Sequence, residues 1–407
     1  MKTIWYVTQG YSVRGGHEAH VLHFASELRS HGFDTRILVV DPLPRKAHLF
    51  MDILAQREIS LISVSDCLRV KLNLASACLY VPWAASRILR RQCISPGILR
   101  RFLLERWGPR WLTAEINAMR PDVVHVHGRL PETFWSALPA NRTALHHGTE
   151  GRLDETWDHE EVDAFRGFAN NCARNFAPGQ GVISNLQKEF GINRAIETVY
   201  TICPDSLAEA NRVPVQSTRT GADTVFGILC RMTPEKGVDV ILQALLKVRD
   251  ALGRVCFEFA GAGDLGPTIE AFAREHDLND VTWVPSFNSP VDVLLEFDVF
   301  VHPSHSDAMP MAIAEALMCG LPCIGTRVGG IPDLVRDGQE GVIIAPGSVD
   351  ALADAMLMFA RMSLEQRRGF AERARLRYDE VCAAPKVAKV LADHYMAMMA
   401  EANECKL

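Results

Sequence analysis

Two kinds of hydrophobic pattern alternate along the chain. Short apolar runs bounded by Gly, Pro or polar residues read as buried strands, and stretches with apolar residues three or four positions apart read as helices. In the first half, strands are predicted at Thr3–Thr8, Thr35–Val40, Asp122–His127, Thr143–His147 and Val182–Ser184. A helix follows the first strand (Ala19, Leu22, Phe24, Ala25, Leu28) and ends at Gly32, and another follows Ser184. In the second half, strands are predicted at Val225–Leu229, Val255–Phe259, Val281–Val284, Val299–His302 and Pro322–Gly325. Strands that alternate with helices imply βαβ units, hence an α/β fold with parallel, doubly wound sheets. The polar, turn-rich stretch from Val213 to Asp223 reads as a linker, giving domains at 1–212 and 213–384. A chain of 407 residues is also too long for one ordinary core.

One stretch departs from simple patterning. From Met311 to Cys319 the residues are apolar nearly all round except for Glu315. A helix of that kind is buried, and a buried carboxylate without a partner costs several kcal/mol or takes up a proton. Glu315 therefore requires a partner, either a ligand or a core arginine. The surrounding build is a strand (Val299–His302), a loop (Pro303–Asp307), a helix that starts near Ala308–Pro310 and stops at Gly320, and a further strand. The loop and helix start thus lie at the carboxyl end of a strand, where ligands bind in open α/β sheets. Asp307 reads either as a ligand-facing acid or as the N-cap of that helix.

Composition narrows the class. Hydrophobic residues make up 48% and charged residues 23%, ordinary for a globular enzyme. A net charge of −6 argues against general nucleic-acid binding. Eleven cysteines without CxxC pairs read as free thiols in a reducing, cytoplasmic compartment. The N-terminal run is too short for a signal peptide, and no apolar stretch reaches the ~18–20 residues of a membrane span. Between 87 and 110 the chain carries Arg87, Arg90, Arg91, Arg100, Arg101, Arg106 and Arg110 among Trp107, leucines and isoleucines. That mixture suits a helix lying on an anionic membrane surface or a solvated helical hairpin packed on the domain.

The loop from Gly227 to Gly237 follows a strand, precedes a helix and presents Arg231 and Lys236. Two cations at a sheet mouth suit a diphosphate leaving group, and a helix N-terminus adds a favourable dipole. Gly15-Gly16, after the first strand, would let backbone amides approach a phosphate, or would simply make a tight turn. His17 and His20 follow, with no third ligand near enough in the sequence to suggest a metal. His146 and His147 end a strand and point to opposite faces; His147, directly before Gly148, is the one favoured for a cleft.

Together these pieces resemble a known family. Arg231 through Lys236-Gly237 looks like its G-R-x-x-x-x-K-G loop, with Cys230 in place of the glycine, and Gly261-Ala262-Gly263 looks like its G-x-G turn. Pro303-Ser304, Asp307, Glu315-Ala316, Gly320-Leu321-Pro322 and Gly329-Gly330-Ile331-Pro332 follow its P-S … E-x(7)-E-A … G-x-P … G-G-x-P signature, with Asp307 for the first Glu and Ala308-Met309 for a Gly-aromatic pair. The family is the retaining, nucleotide-sugar-dependent glycosyltransferases of the GT-B fold, family four. The resemblance spans the chain and is specific over roughly residues 225–345.

The resemblance implies two Rossmann-like domains with parallel sheets facing across a cleft, the nucleotide sugar on the C-terminal domain and the acceptor on the N-terminal one. The C-terminal helix, 385–407, is expected to pack back on the first domain. Arg231 and Lys236 would hold the diphosphate and Gly16 would approach it. Glu315 would bind the ribose, and Met309, Met311 and Ala312 would line the donor site. Asp307 would contact the donor sugar, and His147 would sit near sugar and acceptor. Arg231, Lys236, His147 and Asp307 are the expected catalytic set. The family works without a bound metal or other cofactor. The implied reaction is transfer of a hexose or acetamidohexose from a UDP- or GDP-sugar to a glycan or lipid-linked acceptor, in surface polysaccharide or glycoconjugate biosynthesis, by a cytoplasmic protein peripheral to the membrane. A nucleotide-sugar 2-epimerase on the same fold and a non-catalytic nucleotide-sugar or membrane-surface protein are the alternatives.

Overall fold

Two parallel sheets organise the molecule. The structure is a computed structural model describing residues 2–8, 16–41, 54, 57–63, 96–147, 157–203 and 224–404. The backbone divides into one unit of Met1–Ala177, Ile183–Glu197 and Ala388–Leu407, and a second of Pro178–Val182 and Thr198–Val387. The expected linker at Val213–Asp223 lies outside the described residues.

The first unit contains β1 (Lys2–Thr8), α1 (Gly16–Ser30), β2 (Phe33–Val39), β3 (Ser60–Ser63), α2 (Pro96–Met119), β4 (Val123–His127), α3 (Glu132–Trp135), β5 (Thr143–His146), α4 (His159–Asn171) and β6 (Arg174–Ala177). Helix α5 (Gln180–Glu189) and β7 (Ile196–Thr198) follow. The sheet order is β3-β2-β1-β4-β5-β6-β7. Strand β4 is buried at every position, as a central parallel strand covered on both faces must be. The strand predicted at Val182–Ser184 is instead the middle of α5, and the real strand is β6, a few residues earlier. Val182, Ile183, Leu186 and Phe190 are buried, spaced for one helix face. A short apolar run does not by itself separate buried helix from buried strand.

The second unit contains β8 (Val225–Leu229), α6 (Val238–Leu252), β9 (Cys256–Ala260), α7 (Gly266–Glu275), β10 (Val281–Val284), α8 (Pro290–Leu294), β11 (Val299–His302), α9 (Met311–Met318), β12 (Cys323–Thr326), α10 (Ile331–Leu334), β13 (Gly341–Ile344), α11 (Val349–Arg361) and α12 (Leu364–Val381). The order is β10-β9-β8-β11-β12-β13, all pairs parallel. Alternate residues of each strand feed two cores. Phe226, Ile228, Val299, Val301 and Ile324 pack with Ile241, Leu245, Met356 and Phe359. Val225, Leu229, Phe300 and Cys323 pack with Ile313, Leu317, Leu334 and Tyr378.

The last helix, α13 (Ala384–Glu404), groups with the first unit from Ala388 onward. Its Tyr395 hydroxyl lies 3.3 Å from that of Tyr6 and hydrogen-bonds His125. In the arginine-rich stretch, Arg87, Arg90 and Arg91 lie outside the described residues. Beyond them α2 is one helix with Pro109 inside, burying Leu104, Leu112 and Ile116 and exposing Arg106 and Arg110. A Cβ at Gly108 would strike the Phe134 ring, so α2 and α3 are in close contact.

Gly237 decides how two loops of the second sheet meet. Its φ of 71° is left-handed, and a Cβ there would strike the Pro303 carbonyl oxygen. Gly237→Ala is expected to lose more than about 2 kcal/mol of second-unit stability in urea unfolding, because left-handed strain and a backbone clash add. An unchanged midpoint would refute the close approach.

Candidate functional site

Strands β8 and β11 are neighbours although β9 and β10 lie between them in sequence, and β9 and β12 flank the pair on opposite sides. This is the topological switch point of a doubly wound sheet, where the loops leaving the two carboxyl ends part and leave a crevice. The loops are Cys230–Gly237 and Pro303–Pro310. His305 N–H donates to the Glu235 carbonyl at 2.9 Å and joins them. The turn after β9 braces the first loop: Cys230 N–H donates to Ala260 and Met232 N–H to Ala262. Gly261 and Gly263 permit that approach, since a Cβ at either would collide with the backbone of Cys230 or Met232.

Lys236 and Asp307 face one another across the switch point. Lys236 Nζ lies 2.6 Å from Asp307 Oδ2, with the side chains 16% and 13% exposed. His302 Nε2 lies 3.0 Å from the same oxygen and 3.1 Å from Ser304 Oγ. A carboxylate can only accept, so Asp307 selects the Nε2–H tautomer of His302. Burial pushes the Asp307 carboxyl upward, but hydrogen bonding and charge from His302 and Lys236 outweigh it and hold the acid at about 2. The N-cap reading of Asp307 is corrected: α9 begins at Met311, its N-cap is Pro310, and no side chain caps it. A proline fits the helix entrance, and Asp307 lies too far back to reach the first-turn amides. Arg231 is exposed, its guanidinium 4.0 Å from Glu235.

Helix α9 carries one accessible stripe. Ile313, Ala314, Ala316, Leu317 and Met318 are buried, whereas Met311, Ala312 and Glu315 are half-buried. Their spacings of three and four place them on one helix face. The Glu315 carboxyl has no hydrogen bond or ion pair among the described residues, and burial alone pushes it up to about 7. A core-arginine partner is not what the structure provides: Arg375 donates to the Met318 carbonyl at 2.8 Å and lies 3.5 Å from Asp379. Met309 is buried, its sulfur accepting from Thr201 N–H, so only its backbone can face a ligand.

The remaining predicted residues belong to the first unit. Gly16 is the first residue of α1; Gly15 and the rest of its loop lie outside the described residues. His147 is fully buried, Nε2 3.0 Å from Asn175 Oδ1, its ring against Phe165. His146 lies on the opposite face, as alternation requires, beside His20, His125 and His127. Sequence reasoning missed that grouping. Its local signal was the His125-x-His127 spacing, which puts two rings on one strand face. The structure thus gathers Arg231, Lys236, Asp307, Met309, Met311, Ala312 and Glu315 on adjoining loops and one helix of the second unit, and His147 and Gly16 in the first.

Comparison with known proteins now bears on this arrangement. Residues 14–203 match the model described as Glycosyltransferase Family 4, and residues 223–361 match the one described as Glycosyl transferases group 1. WcaL of Escherichia coli (strain K12), assigned to colanic acid biosynthesis as a glycosyltransferase, is 26% identical over 171 residues; these are 40% of this chain and 42% of that one, so the match spans less than half of the relative's length. The amylovoran biosynthesis glycosyltransferase AmsK of Erwinia amylovora is 29% identical over 307 residues, 67% of this chain and 72% of that one. The crystal structure of Anabaena HepE in complex with UDP and glucose superimposes with a TM-score of 0.68 at 15% identity, covering 98% of this chain and 100% of that one. At that identity the likeness establishes the fold, a GT-B pair of Rossmann-like units. Two models of one family over most of the chain, on this fold, make it a member of the family 4 glycosyltransferases.

Proposed function

We propose that the chain is a retaining glycosyltransferase that moves a hexose or acetamidohexose from a UDP- or GDP-sugar to a glycan or lipid-linked acceptor in polysaccharide or glycoconjugate biosynthesis. The carrying observation is the accessible stripe of α9, which ends in a carboxyl with no partner among the described residues and follows directly on the loop that holds Asp307 against Lys236. A ribose diol is the complement of that carboxyl, since it offers O–H donors to a group that, once ionised, only accepts. The relatives' assignments to colanic acid and amylovoran biosynthesis support the polysaccharide setting, and the UDP and glucose held by HepE support the donor class.

In this reading Glu315 anchors the ribose, with Met311 and Ala312 beside it. Arg231 and Lys236 bind the diphosphate, whose charge grows as the sugar C1–O bond breaks; each such donor is worth ~3–4 kcal/mol. His302 and Lys236 keep Asp307 ionised, so Asp307 can accept from a donor-sugar hydroxyl while the lysine turns part of its charge to phosphate. The acceptor oxygen bonds to C1 on the face the diphosphate leaves, and its proton passes to a diphosphate oxygen. Transfer then needs no metal, because the two cations supply the positive charge. We place the protein in the cytoplasm, peripheral to the membrane through its arginine-rich segment. Among the described residues no helix is long and apolar enough to cross a bilayer.

A panel of nucleotide sugars, assayed for free UDP or GDP with and without acceptors, tests the reaction class; turnover of a donor with no acceptor and no nucleotide release would mark an epimerase instead. The product is expected to keep the donor's anomeric configuration by NMR, and inversion would sink the retaining mechanism. Arg231→Ala and Lys236→Ala should each lower kcat ~100-fold or more with the fold intact; near-normal turnover removes that residue from the site.

Glu315 makes a pH prediction. Its folded-state value, about 7 against an ordinary 4.5, means the folded chain binds this proton more tightly than the unfolded one. The unliganded chain should lose stability, on the order of 3 kcal/mol, as pH rises through that window, and none from this source above it. Urea unfolding of Glu315→Gln should lack the drop. Binding of UDP or GDP near pH ~6 should release protons in calorimetry with the wild type and not with the variant. Equal proton release by both would exclude Glu315 as the ribose anchor.

A further inference from the structure

Four histidines converge inside the first unit, outside the residues assigned to transfer. His125 and His127 project from one face of β4, and His146 ends β5 in register with His127. His20 reaches them from α1. Ring centroids lie 4.6 Å apart for His127–His146, 5.6 Å for His125–His146 and 5.8 Å for His125–His127. The His20 ring lies 5.0 Å from His127 and 5.4 Å from His146. None of the four exceeds 6% exposure. One ring nitrogen from each of His125, His127 and His146 falls within 4.8 Å of the other two.

Packing alone is a poor account of this cluster. Aliphatic side chains would fill the space without burying ring nitrogens, each of which costs free energy unless bonded. His125 is the clearest case. Its Nδ1 is hydrogen-bonded to the Tyr395 hydroxyl, and its Nε2 is fully buried with no hydrogen-bond partner among the described residues. Metal-ligating histidines are built in this way: one nitrogen is fixed by an outer hydrogen bond, which orients the ring and commits the other nitrogen to the ion.

We propose that His125, His127 and His146 form a buried binding site for a transition-metal ion of the Zn2+ class, with His20 as its fourth imidazole. All-nitrogen donors suit Zn2+, Co2+, Ni2+ or Cu2+ and not Mg2+ or Ca2+, which prefer oxygen. Tetrahedral Zn–N bonds of ~2.0–2.1 Å put ligand nitrogens roughly 3.3 Å apart, so small rotations of the rings inward complete the sphere. The role is structural. The ion would tie β4, β5 and α1 together and, through Tyr395, secure the last helix to the first sheet. It takes no part in the transfer step, so this inference stands or falls separately from the proposed reaction.

The test uses the full chain, freed of any histidine tag and stripped with a chelator, then titrated with Co2+ and Zn2+. One Co2+ per chain is expected, with the strong visible absorption of a tetrahedral nitrogen site, bleached by Zn2+, and with a raised Tm. Paramagnetically shifted imidazole protons in the wild-type Co2+ form count the ligands without relying on a variant; three or four support the site and fewer than three overturn it. The double variant His127→Asn/His146→Asn should abolish the absorption. Tyr395→Phe should weaken Co2+ binding ~10–100-fold by removing the outer hydrogen bond. Failure of the wild type to take up Co2+ or Zn2+, or unchanged absorption in the double variant, would overturn the proposal.

Discussion

The adjacency of β8 and β11 is the constraint on which the candidate site rests. Because β9 and β10 lie to one side of β8 and β12 and β13 to the far side of β11, the connections leaving this pair diverge. The backbone then brings their loops as close as atoms allow, which is why glycine stands at 237. Lys236 and Asp307, 71 positions apart in sequence, become an ion pair only through that adjacency. Both are nearly enclosed, so their charges interact in a medium poorer than water, and His302 and Lys236 together hold Asp307 ionised.

The two acids of the motif are handled in opposite ways. Asp307 is surrounded by donors and stays ionised; Glu315 has none among the described residues, and burial raises its carboxyl. Seven residues separate them, and the proline at 310 is one of these, starting the helix so that the second acid emerges on a stripe with Met311 and Ala312. One acid is therefore fixed by the protein, and the other has no partner among the described residues. That division of labour follows from geometry: a group at the strand end meets neighbouring loops, whereas one about a turn along the helix meets whatever lies above the sheet.

Much of this was legible beforehand. The strand–loop–helix rhythm, the buried character of α9, the turn glycines and the need of Glu315 for a partner all follow from local periodicity and from the cost of burying charge. Other features were not. Val182 and Ile183 fit a strand pattern yet lie in a helix, because a few apolar residues fit either period when both faces are covered. Asp307 fits a capping role by position, and the helix start at Met311, with Pro310 as its N-cap, decides against it. His20 was set aside because its partners, His127 and His146, lie more than a hundred positions away and meet it only when α1 packs on the sheet.

By itself the sequence determined the α/β class, the two-part organisation, the family and the residue types available for chemistry, since these depend on spacing within a turn, a strand or a loop. Tertiary structure alone decided the partners: which cation faces Asp307, that no arginine reaches Glu315 among the described residues, that His147 is buried on Asn175, and that four distant histidines share one pocket of the core. The physical reason is that hydrogen bonds, ion pairs and ligand sets act over a few ångströms. The chain brings remote residues within that range only by choosing its strand order.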